Sequence, residues 1–261
     1  MQNRRRIWIA LAIIGLVILV PATAQISAEM VMDQVYTRPS GQDMQATLHM
    51  TITNSRGSTR ERSIVQFRKD DGEVEKKIMF FTSPADVRNT SFLSFSYADG
   101  RRDDQWIYLP ALGRVRRIAS DKTNDSFMGS DFTYEDMGAR HPSEDTHTLL
   151  REENLDGWDV YVIESTPVEP NNEYVKTRNW IIKDEWIGLR KEFIGADGSV
   201  VRRLSIESYE KIDSIWVITD MTMNNLAKNT STRISMEDVS FNNELRDAFF
   251  SERQMSRGPR L

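Results

Sequence analysis

The sequence predicts a single-domain, antiparallel, mainly β fold, and three observations carry that prediction. Apolar and polar residues alternate with a period of two over many short runs. The clearest runs from Met44 to Ile52, where Met44, Ala46, Leu48, Met50 and Ile52 alternate with polar neighbours. Turn signals recur roughly every eight to twelve residues, as hairpin-connected strands require. No stretch reads as a strand–helix–strand series, and no linker, fixed-period repeat or low-complexity tract divides the chain. We expect roughly ten or more strands, with helix in about a fifth of residues or fewer.

Residues 1–24 read as an export signal. Arg4, Arg5 and Arg6 form a basic start, and Ile7 to Val20 is apolar but short for a membrane span. Ala22-Thr23-Ala24 is a small-x-small cleavage site, so the mature domain is expected to span residues 25–261; the alternative is an uncleaved N-terminal anchor. No cysteine follows the apolar run, which excludes the usual lipid anchor, and with zero cysteines there is no disulfide and no thiolate chemistry. The remaining chain, about 237 residues, is long enough for one sizeable core. Loss of the three signal arginines takes the formal net charge from −5 to −8. An acidic chain with interspersed charge does not suit non-specific nucleic-acid binding, which draws on phosphate contacts.

The elements follow in order. Ser27 to Val35 has the spacing of a short amphipathic helix with Ile26, Met30 and Val31 inward, and Pro39 and Gly41 mark a loop. After the run 44–53, Asn54 to Ser58 makes a turn. Ser63, Val65 and Phe67 belong to the second strand, closed by Asp70-Asp71-Gly72. Lys76, Ile78 and Phe80 mark the third; Leu93, Phe95 and Tyr97 mark the fourth, closed by Ala98-Asp99-Gly100. Trp106 and Tyr108 share one face of the fifth. Pro110 to Gly113 is a hairpin tip, and the return strand carries Arg114, Arg116 and Arg117. The stretch from Phe127 to Met137 is rich in Gly, Ser and Asp but studded with Phe127, Met128, Phe132 and Tyr134, which suits a loop that dips apolar side chains into a core. Strands resume through Thr148 and Leu150, Trp158 to Val162, Arg178 to Ile182, Leu189 to Phe193, Val200 to Ile206, Val217 to Met223 and Ile234 to Val239, and the tail 243–255 holds one short helix. Periodicity leaves a closed barrel, a sandwich and an open half-barrel equally open.

The block "DQWIYLPALGRVRRI…SFMGSDFTYEDM" resembles the outer-membrane lipoprotein-sorting protein family, the LolA-like periplasmic carriers, and within it the branch found alongside large inner-membrane exporters. Phe80-Phe-Thr-Ser-Pro-Ala-Asp-Val-Arg88 is similar to the family's "F…P.DVRGT" segment, and Arg178-Asn-Trp-Ile181, Phe241-Asn242 and Phe250-Ser251 also fit. One departure is Asn89, where the family has Gly; Asn tolerates a positive φ, so the turn is expected to survive. The resemblance implies a strongly curved antiparallel sheet, an open half-barrel with a few short helices over an apolar concave face. It implies a periplasmic carrier or receptor for acyl chains of a lipid or lipoprotein, working beside an inner-membrane exporter. The alternatives are a non-carrier accessory subunit of such an exporter and, third, a periplasmic hydrolase.

The residues themselves offer little chemistry. His49, His141 and His147 lack paired-ligand spacing and read as solvated, so no metal and no cofactor is expected. There is no Gly-x-Ser-x-Gly elbow and no glycine-rich phosphate loop, and no catalytic residues are assigned. The acidic cluster Asp131, Glu135 and Asp136 reads as capping and turn residues rather than acid–base machinery. Two candidate sites remain. Phe80, Leu93, Phe95, Trp106 and Tyr108 are expected to line a hydrophobic cavity, with Phe127 and Phe132 closing over it; the bland alternative is a filled core. Arg114, Arg116 and Arg117 are candidates for contact with a lipid headgroup or a partner protein, against the reading of a charged edge strand that resists aggregation.

Overall fold

The computed structural model describes residues 26–170 and 173–260; the expected export signal and its boundary lie outside them. Thirteen strands form one antiparallel, unclosed sheet. Six of them are β1 (Asp43–Thr53), β2 (Thr59–Asp70), β3 (Val74–Ser83), β4 (Ser91–Tyr97), β5 (Asp104–Leu109) and β6 (Arg114–Arg117). The other seven are β7 (Asp145–Leu155), β8 (Trp158–Pro167), β9 (Lys176–Ile182), β10 (Gly188–Ile194), β11 (Val200–Ile212), β12 (Ile215–Asn225) and β13 (Thr230–Phe241). The order in space is β6-β5-β4-β3-β2-β1-β13-β12-β11-β10-β9-β8-β7. Consecutive strands are hairpin neighbours except at one point. From β6, at one edge, the chain crosses to β7 at the opposite edge, and β13 returns to lie beside β1.

Local chemistry explains the turns. The Asn54 side chain accepts hydrogen bonds from the backbone N–H groups of Arg56 (2.9 Å) and Ser58 (3.1 Å), and Asp71 accepts from those of Glu73 and Val74. The hairpin tip at Pro110–Leu112 is a 3-10 turn closed by Gly113, whose φ of 60° is left-handed. Asn89 likewise has φ 66°, so the turn expected there forms with an asparagine in the left-handed region.

The register divides the side chains between two faces, because paired residues point the same way. On the inner face, Leu48 is paired with Ile64 and Ile64 with Phe81, while Met79 is paired with Phe92. Leu48, Phe92, Phe193 and Met223, from strands far apart in the order, meet in one buried cluster on this face. Their meeting requires the sheet to wrap around them, so this face is concave. Over its far end lies α1 (Ala28–Tyr36), whose N-terminus is capped by the Ser27 hydroxyl accepting from the Met30 N–H at 3.2 Å. Ala28 and Val31 bury against Ile163 and Ile181. Met30, expected inward, is 57% exposed, because a nine-residue helix lying on one sheet buries a single narrow stripe.

On the outer face the C-terminal tail covers β2 to β6. Leu245, Phe249, Phe250 and Met255, the last on α2 (Glu252–Arg257), join Phe67, Ile78, Phe80 and Leu93 in a second buried cluster. Phe249 sits edge-on to Phe67 at 4.8 Å between centroids. The tail is fixed where the Asp43 carboxylate accepts from the N–H groups of Asn243 (2.6 Å) and Leu245 (2.9 Å). Among the described residues no helix is long and apolar enough to cross a membrane.

Candidate functional site

The crossing segment, residues 118–144, lies on the inner face like a strap. It is built of short 3-10 turns at Ser120–Lys122, Phe127–Gly129, Glu135–Met137 and Pro142–Glu144. Its centre folds back on itself through a bridge between Ser126 and Thr133 and a 2.8 Å hydrogen bond from the Phe127 N–H to the Phe132 carbonyl. That pinch pushes Phe127 and Phe132 into the inner cluster, where they are 0% and 3% exposed. The Phe127 ring lies 5.2 Å from Phe92, 5.5 Å from Tyr134 and 6.0 Å from Phe81.

Polar contacts fasten the strap to strands far apart in the sheet. The Asp131 carboxylate accepts from the hydroxyls of Thr230 and Thr232 on β13, and the Asp131 N–H donates to Thr232 Oγ1 at 2.9 Å. Asp136 accepts from the Thr133 N–H (2.8 Å) and from Arg202 of β11 (2.6 Å). Arg202 is 2% exposed, also donates to the Asp131 carbonyl and to Glu173, and lies 4.1 Å over the Phe193 ring. Burial lifts the Glu173 carboxyl above its usual range, with Arg202 opposing. Gln105 of β5 and Lys77 of β3 donate to the carbonyls of Tyr134 and Met137, and the Ala139 N–H donates to Ser96 Oγ of β4. Ser96 in turn donates to Asp103 at 2.7 Å, and burial pushes the Asp103 carboxyl up to about 6. At the β7 end, Arg140 donates to Glu135 and to both oxygens of Asp145.

The expected seven-residue cavity does not assemble in one place. Phe80, Leu93, Phe95, Trp106 and Tyr108 do share a face, as their parity predicts: Leu93 is paired with Trp106, and all five belong to one cluster. That face is the outer one, under the C-terminal tail. Phe127 and Phe132 lie across the sheet from them, so they do not close over that surface. The reason is a one-residue offset: Phe81 and Phe92 face the strap, whereas Phe80 and Leu93 face away. The inner apolar space is filled by the strap's own Phe127, Phe132 and Met137.

The three arginines of β6 are exposed. Arg114 and Arg116 are paired with Leu109 and Ile107 and take the inner-face side, whereas Arg117 takes the other and bonds Asp104. The histidines are bonded rather than freely solvated. His147 contacts Ser165 Oγ (2.8 Å) and the Pro142 carbonyl (2.9 Å), and His49 meets Glu237 at 2.6 Å. Among the described residues no group of His, Asp and Glu is arranged to hold a metal. Asp131, Glu135 and Asp136 are the strap's fastenings, Glu135 through Arg140 and Asp136 through Arg202, and Arg202 was visible in the sequence only as a charge at an inward position of an alternating strand.

A crystal structure of an outer membrane lipoprotein-sorting protein domain from Vibrio parahaemolyticus is similar over 88% of this chain and 98% of its own, with 31% identity and a TM-score of 0.82. The chain belongs to the outer-membrane lipoprotein-sorting, LolA-like family. A DUF1329 family protein from Desulfovibrio piger is 33% identical over 87% of this chain and 96% of its own, with a TM-score of 0.79. A LolA superfamily protein from Nitrosomonas europaea covers 88% of this chain and 100% of its own at 18% identity and a TM-score of 0.68, and so shares the fold. A family model described as an uncharacterized protein matches residues 73–257. No curated protein matches the chain. In this LolA-like chain the family's open half-barrel is present, and its concave face is occupied by residues 118–144.

Proposed function

We propose that this protein is a periplasmic carrier or receptor that holds acyl chains of a lipid or lipoprotein on its inner face, after export and cleavage behind Ala24. The observation that supports the reading is the strap. It covers a large apolar surface but makes no continuous ladder with the sheet, and it is held by discrete side-chain contacts at Asp131, Asp136, Tyr134 and Met137. Fully burying Phe127, Phe132 and Met137 stabilises the closed strap by roughly 1.5–3 kcal/mol each. The three together come to about 4.5–9 kcal/mol, which about six to eleven methylenes buried at roughly 0.8 kcal/mol apiece would match, so a cargo chain buried over about that length and the strap exchange on nearly balanced terms. That balance suits a carrier, which must release what it binds. The seven apolar residues of the expected cavity then divide. Phe127 and Phe132 compete with cargo, while Phe80, Leu93, Phe95, Trp106 and Tyr108 support the sheet from behind.

Carrier-type neighbours in the family favour this over an enzymatic role. Mass spectrometry of mature protein isolated from periplasm under mild extraction tests it. Stoichiometric lipid or acylated peptide is expected. Protein that stays lipid-free and takes up no amphiphile when offered one points instead to a docking subunit of an exporter.

A further inference from the structure

Arg62 stands on the inner face of β2, opposite Met50, and is 8% exposed. Its guanidinium lies 5.9 Å from the centre of the Phe81 ring. Its Nη1 is buried with no hydrogen-bond partner, and no ion pair is made to it among the described residues. The other buried inner-face arginines are paired: Arg68 with Glu75 at 3.3 Å, and Arg202 with Asp136 at 2.6 Å and Glu173 at 2.9 Å. The carboxylate that faces Arg62 is the exposed Asp86, beyond ion-pair distance, and Arg60 adds like charge. Burial draws the Arg62 pKa down, yet a guanidinium stays protonated at any physiological pH. With Nη1 cut off from water and no carboxylate paired to the guanidinium, Arg62 is under-satisfied, and an incoming anion would supply the missing acceptor.

The surroundings define that anion. Met50, Ile64 and Phe81, beside Arg62, belong to the apolar cluster under the strap. At the same end of the sheet, Arg60 on β2 and Arg114 and Arg116 on β6 take inner-face positions and are solvent-exposed. They give the approach to Arg62 a positive field.

We propose that Arg62 is the counter-charge for the anionic head, carboxylate or phosphate, of the amphiphile carried on the inner face, whose apolar chain runs from Met50 and Phe81 under the strap. This rests on the carrier reading above. Binding of four probes to wild type is measured by calorimetry: palmitate, palmitoyl lysophosphatidic acid, the neutral monopalmitoylglycerol and inorganic phosphate. The two anionic amphiphiles are expected to bind at least about tenfold more tightly than the neutral one, and inorganic phosphate far more weakly than either. Arg62→Met should abolish the preference, leave monopalmitoylglycerol binding intact, and raise the melting temperature of the ligand-free protein. Arg62→Lys, which keeps the charge but not the planar fork, should retain part of the preference. Equal binding of anionic and neutral amphiphiles in wild type, or an unchanged preference in Arg62→Met and Arg62→Lys, overturns the assignment while leaving the carrier reading intact. Phosphate binding as tight as lysophosphatidic acid also overturns it, by making the site one for a free anion. Failure of all the amphiphiles, the neutral one included, removes the carrier reading and the assignment with it.

Discussion

Phe127→Ala separates a strap that competes with cargo from one that is simply core. The Phe127 side chain is 0% exposed and ringed by Phe92, Tyr134 and Phe81 within 6.0 Å. Truncation removes a full aromatic from a packed site, and the expected loss of stability is about 3–5 kcal/mol. Most of that loss falls on the closed position of the strap, because Phe127 contacts the sheet only while the strap is down. The protein then holds its inner face open more often. Apparent affinity for a ligand that needs the open face rises in proportion to that population, by up to about tenfold for each 1.4 kcal/mol taken from closure. A fluorescent fatty-acid probe measured beside thermal unfolding reads both effects. The expected result is lower melting temperature with tighter probe binding. Phe249→Ala is the matched control: it is 8% exposed and packed on Phe67 and Phe80 across the sheet, so it should lose stability without gaining affinity. If Phe127→Ala binds probe no better than Phe249→Ala, the strap is core and the competition argument fails.

Three further outcomes follow from the same geometry. Phe95 packs edge-on to Trp106 at 5.3 Å on the outer face, so Phe95→Ala should lower the melting temperature and leave probe binding unchanged; altered binding would return that face to candidacy. Asp103 has a folded pKa near 6, above its ordinary value of 3.8, so the fold binds its proton more tightly than the unfolded chain does. Its penalty is absent below about pH 4, grows between about pH 4 and 6, and is complete above, to roughly 2–3 kcal/mol at most. Asp103→Asn should therefore be more stable than wild type at pH 7.5 and equal to it at pH 4, by denaturant titration; parallel pH profiles would contradict this. At Gly138 the φ of −84° suits any residue, but a Cβ would fall 1.9 Å from Asp103 Oδ2. Gly138→Ala should cost about 1–3 kcal/mol of stability. Asp103→Ala in the same chain should recover most of it, and no recovery would place the conflict elsewhere.

Much of the fold was legible because period-two alternation and turn chemistry act locally. The Met44–Ile52 run is the inner row of β1, and Ser63, Val65 and Phe67 do share a face of β2. What alternation cannot show is which face a row joins when both are covered. On β2 the inner row is Arg60, Arg62, Ile64, Gln66 and Arg68, which reads as a solvent face, while the apolar row is the one under the tail. The polar inner positions are explained by the groups laid over them. Arg68 is buried at 7% because it meets Ser40 and Glu75, and Arg202 because the strap brings Asp136. The strap's apolar residues could be read as core-seeking from composition, but its side of the sheet depends on the jump from β6 to β7, which no local pattern encodes.

That jump also accounts for the site. A meander that ran straight from β1 to β13 would leave no segment free to cross the inner face. Here the sheet begins at its middle, with β1 beside β13, and the chain must pass from one edge to the other. The shortest cover for an apolar concave surface is the crossing segment itself. Its ends are held at β6 and β7, and its centre is tied down by Asp131 on β13 and Asp136 on β11. Lifting the centre breaks those side-chain contacts and the burial of Phe127 and Phe132, but no strand pairing. The thirteen-stranded ladder therefore remains intact whether the strap is down or up. The outer face has no such freedom, since its tail is bonded to buried Asp43 and adds four large apolar side chains to the core. The outer face over β2 to β6 is tied to its cover by the tail, whereas the cover of the inner face is held by side-chain contacts alone, and that asymmetry is what the proposed carrier reading uses.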